Sequence, residues 1–180
     1  MKRSIVLWAT VILVVVVSLA YSQARPAKPT EADSRIDEEG SRMASHVTSR
    51  IRRVTSPQVA EPAPGTWSNC LVVNGVAYIS GMTARGNDGK IVAGDEYEQA
   101  TLIFAKIRNL VEAAGGTMAD VVKLTIFVTD ITQREKVWRA RGEVFVGDFP
   151  ASTLVQVAAL AEPSVKVEIE AIAYIGAGKR

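Results

Sequence analysis

Residues 95–128 read DEYEQATLIFAKIRNLVEAAGGTMADVVKLTIFV, and this stretch decides the fold. Asp95 is a helix-capping residue type. Ala100, Ile103, Phe104, Ile107, Leu110, Val111 and Ala114 then recur at helical spacing, and Gly115-Gly116 ends the run. Those positions form one broad apolar stripe, suited to lying across a sheet. Val121 to Val128 follows as a continuous, β-branched run and reads as a central strand.

Outward from there, strands and helices alternate. Upstream, Cys70–Val73 and Val76–Ser80 are apolar runs separated by Asn74-Gly75, the strongest short hairpin signal. Asn87-Asp88-Gly89 marks a second turn, followed by Ile91-Val92. Arg50, Arg52 and Arg53, interleaved with Ile51 and Val54, read as a short exposed strand whose charges discourage edge pairing. Downstream, a second helix is expected from about Gln133 to Phe145, with Val137, Ala140, Val144 and Phe145 inward. Pro150 stops the chain, and Thr153–Leu160 reads as a strand that Glu162-Pro163 turns. The last strand alternates, with Val165, Val167, Ile169, Ala171 and Ala173 on one face and Lys166, Glu168, Glu170, Ile172 and Tyr174 on the other. Strands, helix, strand, helix, strands is the order of a two-layer α+β domain, a mixed sheet with two helices on one face.

The second sheet face mixes carboxylates with Ile172 and Tyr174. Closed assembly into a homo-oligomer would cover it and leave clefts between subunits. An ordinary solvated face with snorkelling side chains is the alternative, and both readings stand at this point.

Composition closes several routes. The 180 residues hold one cysteine, Cys70, and one histidine, His46, so an intrachain disulfide, a cysteine-cluster metal site and His-pair zinc chemistry are excluded. A Ser-His-Asp triad is disfavoured for the same reason. Lys+Arg is 21 against 19 Asp+Glu, but without Lys2 and Arg3 the balance is 19 to 19. From Val59 onward 12 cations face 14 anions, with no surplus for neutralising phosphates, so nucleic acid is not expected as a partner.

Residues 1–24 read as an export signal. Lys2-Arg3 is a positive n-region, Ile5–Ala20 is an uncharged run of 16 residues, and Ser22 and Ala24 offer a small-residue cleavage pattern. The run is short of the roughly 20 residues that span a bilayer core. An uncleaved inner-membrane anchor over residues 5–20, basic end inside, is the competing reading. Either way the domain is expected outside the cytoplasm, in the periplasm. Residues 25–50, with Pro26, Pro29 and Asp37-Glu38-Glu39, suit a polar tether, and the lone His46 falls there. The folded domain is then residues 51–176. The tail, residues 177–180, mimics part of a phosphate loop in Gly176-Ala177-Gly178-Lys179 but lacks the following Ser/Thr and helix.

Five collinear fragments carry a family resemblance: Val76–Gly81 (VAYISG), Leu110–Gly115 (LVEAAG), Lys123–Asp130, Phe149-Pro150-Ala151 and Val167–Ala173 (VEIEAIA). Over about Arg52 to Ile175 the chain resembles the Rid, or YjgF-type, family of reactive intermediate deaminases. The resemblance implies a chorismate-mutase-like fold, homotrimers with a small-molecule cleft at each subunit interface, and no cofactor. It also implies hydrolysis of enamines and imines, typically 2-imino acids, to a keto acid and ammonia. That chemistry asks the protein to grip the substrate, position a water and manage protons.

In the family the grip is an arginine directly after the Pro-Ala pair, a fork matching a carboxylate. Here that position is Ser152. A neutral hydroxyl in its place forfeits roughly 1.5–3 kcal/mol for a carboxylate ligand, about one to two decades in affinity. Other departures implied by the resemblance are Trp67 for an aromatic after a Gly-Pro pair, Trp138 for an asparagine and Leu154 for a cysteine. What remains is Ser80 and Gly81 lining the cleft and Glu168 as the carboxylate that assists water or proton movement.

Each retained residue also has a structural reading. Gly81 suits a bulge beside a packed helix, Ser80 can bond its own backbone, and Glu168 can pair with a neighbouring subunit's Arg139 or Arg141. The two tryptophans serve either packing or a flat apolar pocket. Three functions follow: a hydrolase of an enamine or imine that lacks, or does not use, a carboxylate handle, a non-catalytic trimer binding a small apolar or aromatic metabolite, and, least favoured by the charge balance, an endoribonuclease or translation inhibitor.

Overall fold

The computed structural model describes residues 51–92 and 94–178. The export signal or anchor, the tether with His46, and Lys179-Arg180 lie outside the described residues. Among the described residues no helix is long and apolar enough to cross a membrane.

Among the described residues six strands and two α-helices appear in the order β1 (Arg52–Val54), β2 (Cys70–Val73), β3 (Val76–Thr83), α1 (Glu96–Ala113), β4 (Val121–Val128), α2 (Arg134–Gly142), β5 (Ala151–Gln156) and β6 (Val167–Tyr174). They build one sheet in the order β1-β2-β3-β6-β4-β5. Only β4 and β5 run parallel; the other neighbours are antiparallel, so the sheet is mixed.

Local chemistry explains the elements. Asn74 and Gly75 both take positive φ, 51° and 78°, which is what a tight hairpin between β2 and β3 demands. The start of α1 is a capping box: the Asp95 carboxylate accepts from Tyr97 N at 2.9 Å and Glu98 N at 3.1 Å, while Glu98 accepts from Asp95 N at 2.8 Å. Ile103, Phe104, Ile107, Leu110 and Val111 are wholly buried and lie over β3 and β6. Val137 and Ala140 bring α2 against α1 on the same side.

The sheet supplies the opposite half of the core. Ala77, Ile79, Met82, Leu124, Ile126, Val128, Val167, Ile169, Ala171 and Ala173 are buried beneath the helices. Their alternates point the other way, and Tyr78 and Tyr174 on that face are about half exposed. This is the α+β two-layer architecture with two helices on one face of a mixed sheet. Several boundaries depart from the sequence reading: β3 runs on to Thr83 instead of ending at Ser80, and β6 begins at Val167 instead of Val165. The second helix ends at Gly142 rather than Phe145, although Phe145 is still buried, edge-on to Phe104 at 6.0 Å. The strand expected over 153–160 is Ala151–Gln156, because its parallel partner β4 ends at Val128, opposite Gln156, and offers nothing further to pair.

Candidate functional site

The site grows from an irregularity in the β3–β6 pair. Ile79 faces Ala171 and Met82 faces Ile169, so three steps along β3 match two along β6. The extra residue makes a bulge at Ser80-Gly81, and bulges re-aim side chains. Immediately beyond it Thr83 pairs with Glu168. The result presses Glu168 onto the backbone of Gly81: a Cβ built at Gly81 would lie 1.9 Å from Glu168 Oε1. Gly81 thus makes room for a carboxylate, not for a packed helix.

Glu168 is half-buried, and none of the ion pairs among the described residues involves it. Burial, then the like charge of Glu170, pushes its carboxyl above the ordinary value. The Arg139 guanidinium lies over Tyr97 and bonds Glu143 at 3.4 Å, and the Arg141 guanidinium lies over Phe149, so neither pairs with Glu168 within the chain.

A cavity of about 340 Å³ opens in front of this carboxylate, lined by Trp67, Ser80, Gly81, Thr83, Arg85, Ala161 and Glu168. Four residues named from sequence therefore meet: Trp67, Ser80, Gly81 and Glu168. The Ser80 backbone N–H donates to Asn69 O at 3.0 Å, and its hydroxyl reaches the same oxygen at 3.4 Å. Trp67 is more than half exposed and donates from Nε1 to Asn69 Oδ1 at 3.3 Å, an amide itself tied to Ala60 O at 3.0 Å. The tryptophan is fixed at one end and open at the other.

Trp138, Ser152 and Leu154 do not line this cavity. Trp138 sits on α2, with the Arg134 guanidinium 5.5 Å from its ring centre. Ser152 is exposed on β5 opposite Leu124, and Leu154 packs against the core. Both belong to the edge strand, two places from β6. Within one chain the two tryptophans do not share a pocket.

Thr83, Arg85 and Ala161 at the cavity are missed by sequence reasoning, and of the three only Arg85 is charged. Arg85 follows β3, and the turn over Asn87–Gly89 folds the chain back so that Arg85 bridges Ile91. Its guanidinium donates to Gly89 O and to Glu162. A cation placed between a strand end and a sharp turn was the only available signal. Behind it lies Lys106, buried on α1, whose Nζ donates to Thr83 O at 3.0 Å and Arg85 O at 2.9 Å. Burial, then the charge of Arg85, lowers the proton affinity of that ammonium.

An acid, a cation, a hydroxyl and an indole thus surround one small cavity of a two-layer α+β domain. The chain belongs to the family described as Endoribonuclease L-PSP, whose model matches residues 58–175. It is similar to the 2-iminobutanoate/2-iminopropanoate deaminase of Homo sapiens, 35% identical over 131 residues that span 72% of this chain and 95% of that one. Among solved structures, RidA from an Antarctic Psychrobacter is 33% identical with a TM-score of 0.63, covering 69% of this chain and 99% of that chain. A Yersinia pestis protein of the conserved Rid family is 32% identical with a TM-score of 0.65, covering 70% and 100%. The Rid resemblance carried by the five fragments is thereby confirmed.

Proposed function

We propose that this protein hydrolyses a small enamine or imine to a carbonyl compound and ammonia. The observation that carries the reading is Glu168, a half-buried carboxyl without an ion partner among the described residues, set against Gly81 in a cavity of substrate size. Water adds through oxygen to the carbon of the C=N bond while Glu168 takes its proton. Returning that proton to nitrogen gives a neutral carbinolamine, and carrying its hydroxyl proton through Glu168 to the same nitrogen breaks the C–N bond, with ammonia leaving as the C=O bond forms. A carboxyl whose proton affinity is raised above the ordinary carboxylate value by burial and Glu170 can take and return a proton in this transfer, and positioned groups of that kind contribute about 10²–10⁴-fold. The deaminase relatives support the assignment. The ribonuclease in the family description is not adopted, because from Val59 onward acids outnumber bases and no histidine is present.

From the N-terminal sequence pattern and the family resemblance we further propose that the protein lies outside the cytoplasm, exported or anchored through residues 5–20, and is a homotrimer whose neighbouring subunits bring Trp138, Ser152 and Leu154 toward each cavity. At Ser152 no guanidinium is supplied, which disfavours 2-imino acids unless another cation holds the carboxylate. Ammonia release from 2-iminobutanoate and from a carboxylate-free enamine tests the activity. Acceleration of either, reduced at least a hundredfold by Glu168→Gln, supports it. No acceleration, with a thermal shift on adding small metabolites, favours the non-catalytic binding trimer that Ser152 also fits. A monomer by light scattering sinks the shared cleft, and cell fractionation with all protein in the cytosol sinks the export.

A further inference from the structure

Arg85 lines the 340 Å³ cavity with Glu168, and also an adjoining cavity of about 500 Å³ that shares Trp67, Gly81 and Thr83. Arg85 is thus common to the lining of both spaces. Its backbone is pinned on two sides, by the bridge to Ile91 and by the Lys106 ammonium on its carbonyl. Its side chain already holds a carboxylate, that of Glu162, from the turn before β6. Both members of this pair are about 40% exposed, at 42% and 39%. An exposed pair of that kind adds little to stability and exchanges readily. Arg85 and Glu168 line the same cavity, while Lys106 supports the Arg85 backbone from the adjoining one.

We propose that Arg85 is the carboxylate-binding residue of this site and that Glu162 occupies it until substrate arrives. An incoming carboxylate takes the place of Glu162 on the guanidinium fork, and the C=N group of the same small molecule then lies toward Glu168. Enamines and imines bearing a carboxylate are accordingly substrates here, and the function of the arginine absent at position 152 is met by one from the other side of the cavity. The catalytic consequence rests on the deaminase reading; the binding does not.

Titration of the full-length protein with pyruvate and with the uncharged pyruvamide tests the assignment by calorimetry. The wild type should bind pyruvate more tightly than pyruvamide. Arg85→Met should weaken pyruvate tenfold or more and erase the preference, with pyruvamide little changed. Glu162→Gln frees the guanidinium and should tighten pyruvate about threefold or more, a gain that damage to the fold cannot produce. No pyruvate binding by the wild type, Arg85→Met binding it as the wild type does, or Glu162→Gln failing to tighten it each overturns the proposal. Preference for pyruvate without turnover of any imine overturns only the deaminase reading. Turnover of 2-iminobutanoate that Arg85→Met leaves unaltered overturns only the role of Arg85.

Discussion

Gly81 and Glu168 are fitted to one another: the carboxylate occupies the space where any other residue at position 81 would carry its Cβ, 1.9 Å from Oε1. The atom in the way is the far end of a flexible side chain, so Gly81→Ala displaces Glu168 rather than the sheet. We therefore expect Gly81→Ala to fold with stability within about 1 kcal/mol of wild type while enamine or imine hydrolysis falls by about 10²-fold or more. Urea denaturation and ammonia release from the same preparation separate the two effects. A fully active Gly81→Ala variant would show that the position of Glu168 does not matter.

Glu168 itself should trade stability for activity. Its proton affinity is raised above the ordinary carboxylate value of 4.5 by burial and by Glu170, so the folded state holds the proton more tightly than the unfolded chain does. The favourable contribution is complete below 4.5 and is lost as pH climbs through the raised value. Glu168→Gln removes the titration. Denaturation midpoints should show the variant gaining on the wild type between pH 4 and pH 7.5, at the same time as it loses hydrolysis. A difference that is flat with pH would mean that Glu168 ionises as freely as in water.

The parts of the fold legible in sequence are those specified by neighbours along the chain. Asn74-Gly75 permits positive φ twice in succession, the α1 stripe repeats every three or four residues, and Val121–Val128 is apolar enough for a strand with partners on both sides. Element ends were less legible where a distant partner sets them. β5 stops at Gln156 because β4 stops at Val128. The candidate site is mostly of this second kind. Its lining comes from residues 67, 80, 81, 83, 85, 161 and 168, and the Gly81–Glu168 contact depends on a one-residue bulge that only the β3–β6 register reveals. Ser80, Gly81, Trp67 and Glu168 came within reach through family resemblance. Arg85 matched no motif, and only the backward fold of its turn brings it to the cavity.

Cys70 should be silent as a nucleophile. It is fully buried on β2, and burial pushes its thiol up to about 11, against a smaller opposing pull from Arg52. At pH 8 thiolate is then a minute fraction of the population, and reaction with a thiol reagent such as DTNB needs the protein to open. Labelling should be absent over an hour in buffer and complete within minutes in concentrated denaturant. Rapid labelling of the native protein would place Cys70 at the surface.

Lys106 carries the last prediction, because it links the core to the candidate anion site. A buried ammonium costs desolvation, and this one is compensated by two carbonyls, Thr83 O and Arg85 O. Lys106→Met keeps the apolar stem but strands both oxygens, at about 1–3 kcal/mol. The loss of the unfavourable buried charge offsets part of that cost, and the offset depends on pH. Because burial and Arg85 lower the folded-state proton affinity below the ordinary 10.5, the unfolded chain binds the proton more tightly, and wild-type stability rises as pH climbs from the lowered value toward 10.5. Urea denaturation should therefore find Lys106→Met less stable at pH 7 and further behind at pH 10. With the Arg85 carbonyl released, pyruvate binding should weaken in the same variant although Lys106 does not line the 340 Å³ cavity. A variant as stable as wild type that also binds pyruvate normally would remove Lys106 as the support that holds Arg85 in place.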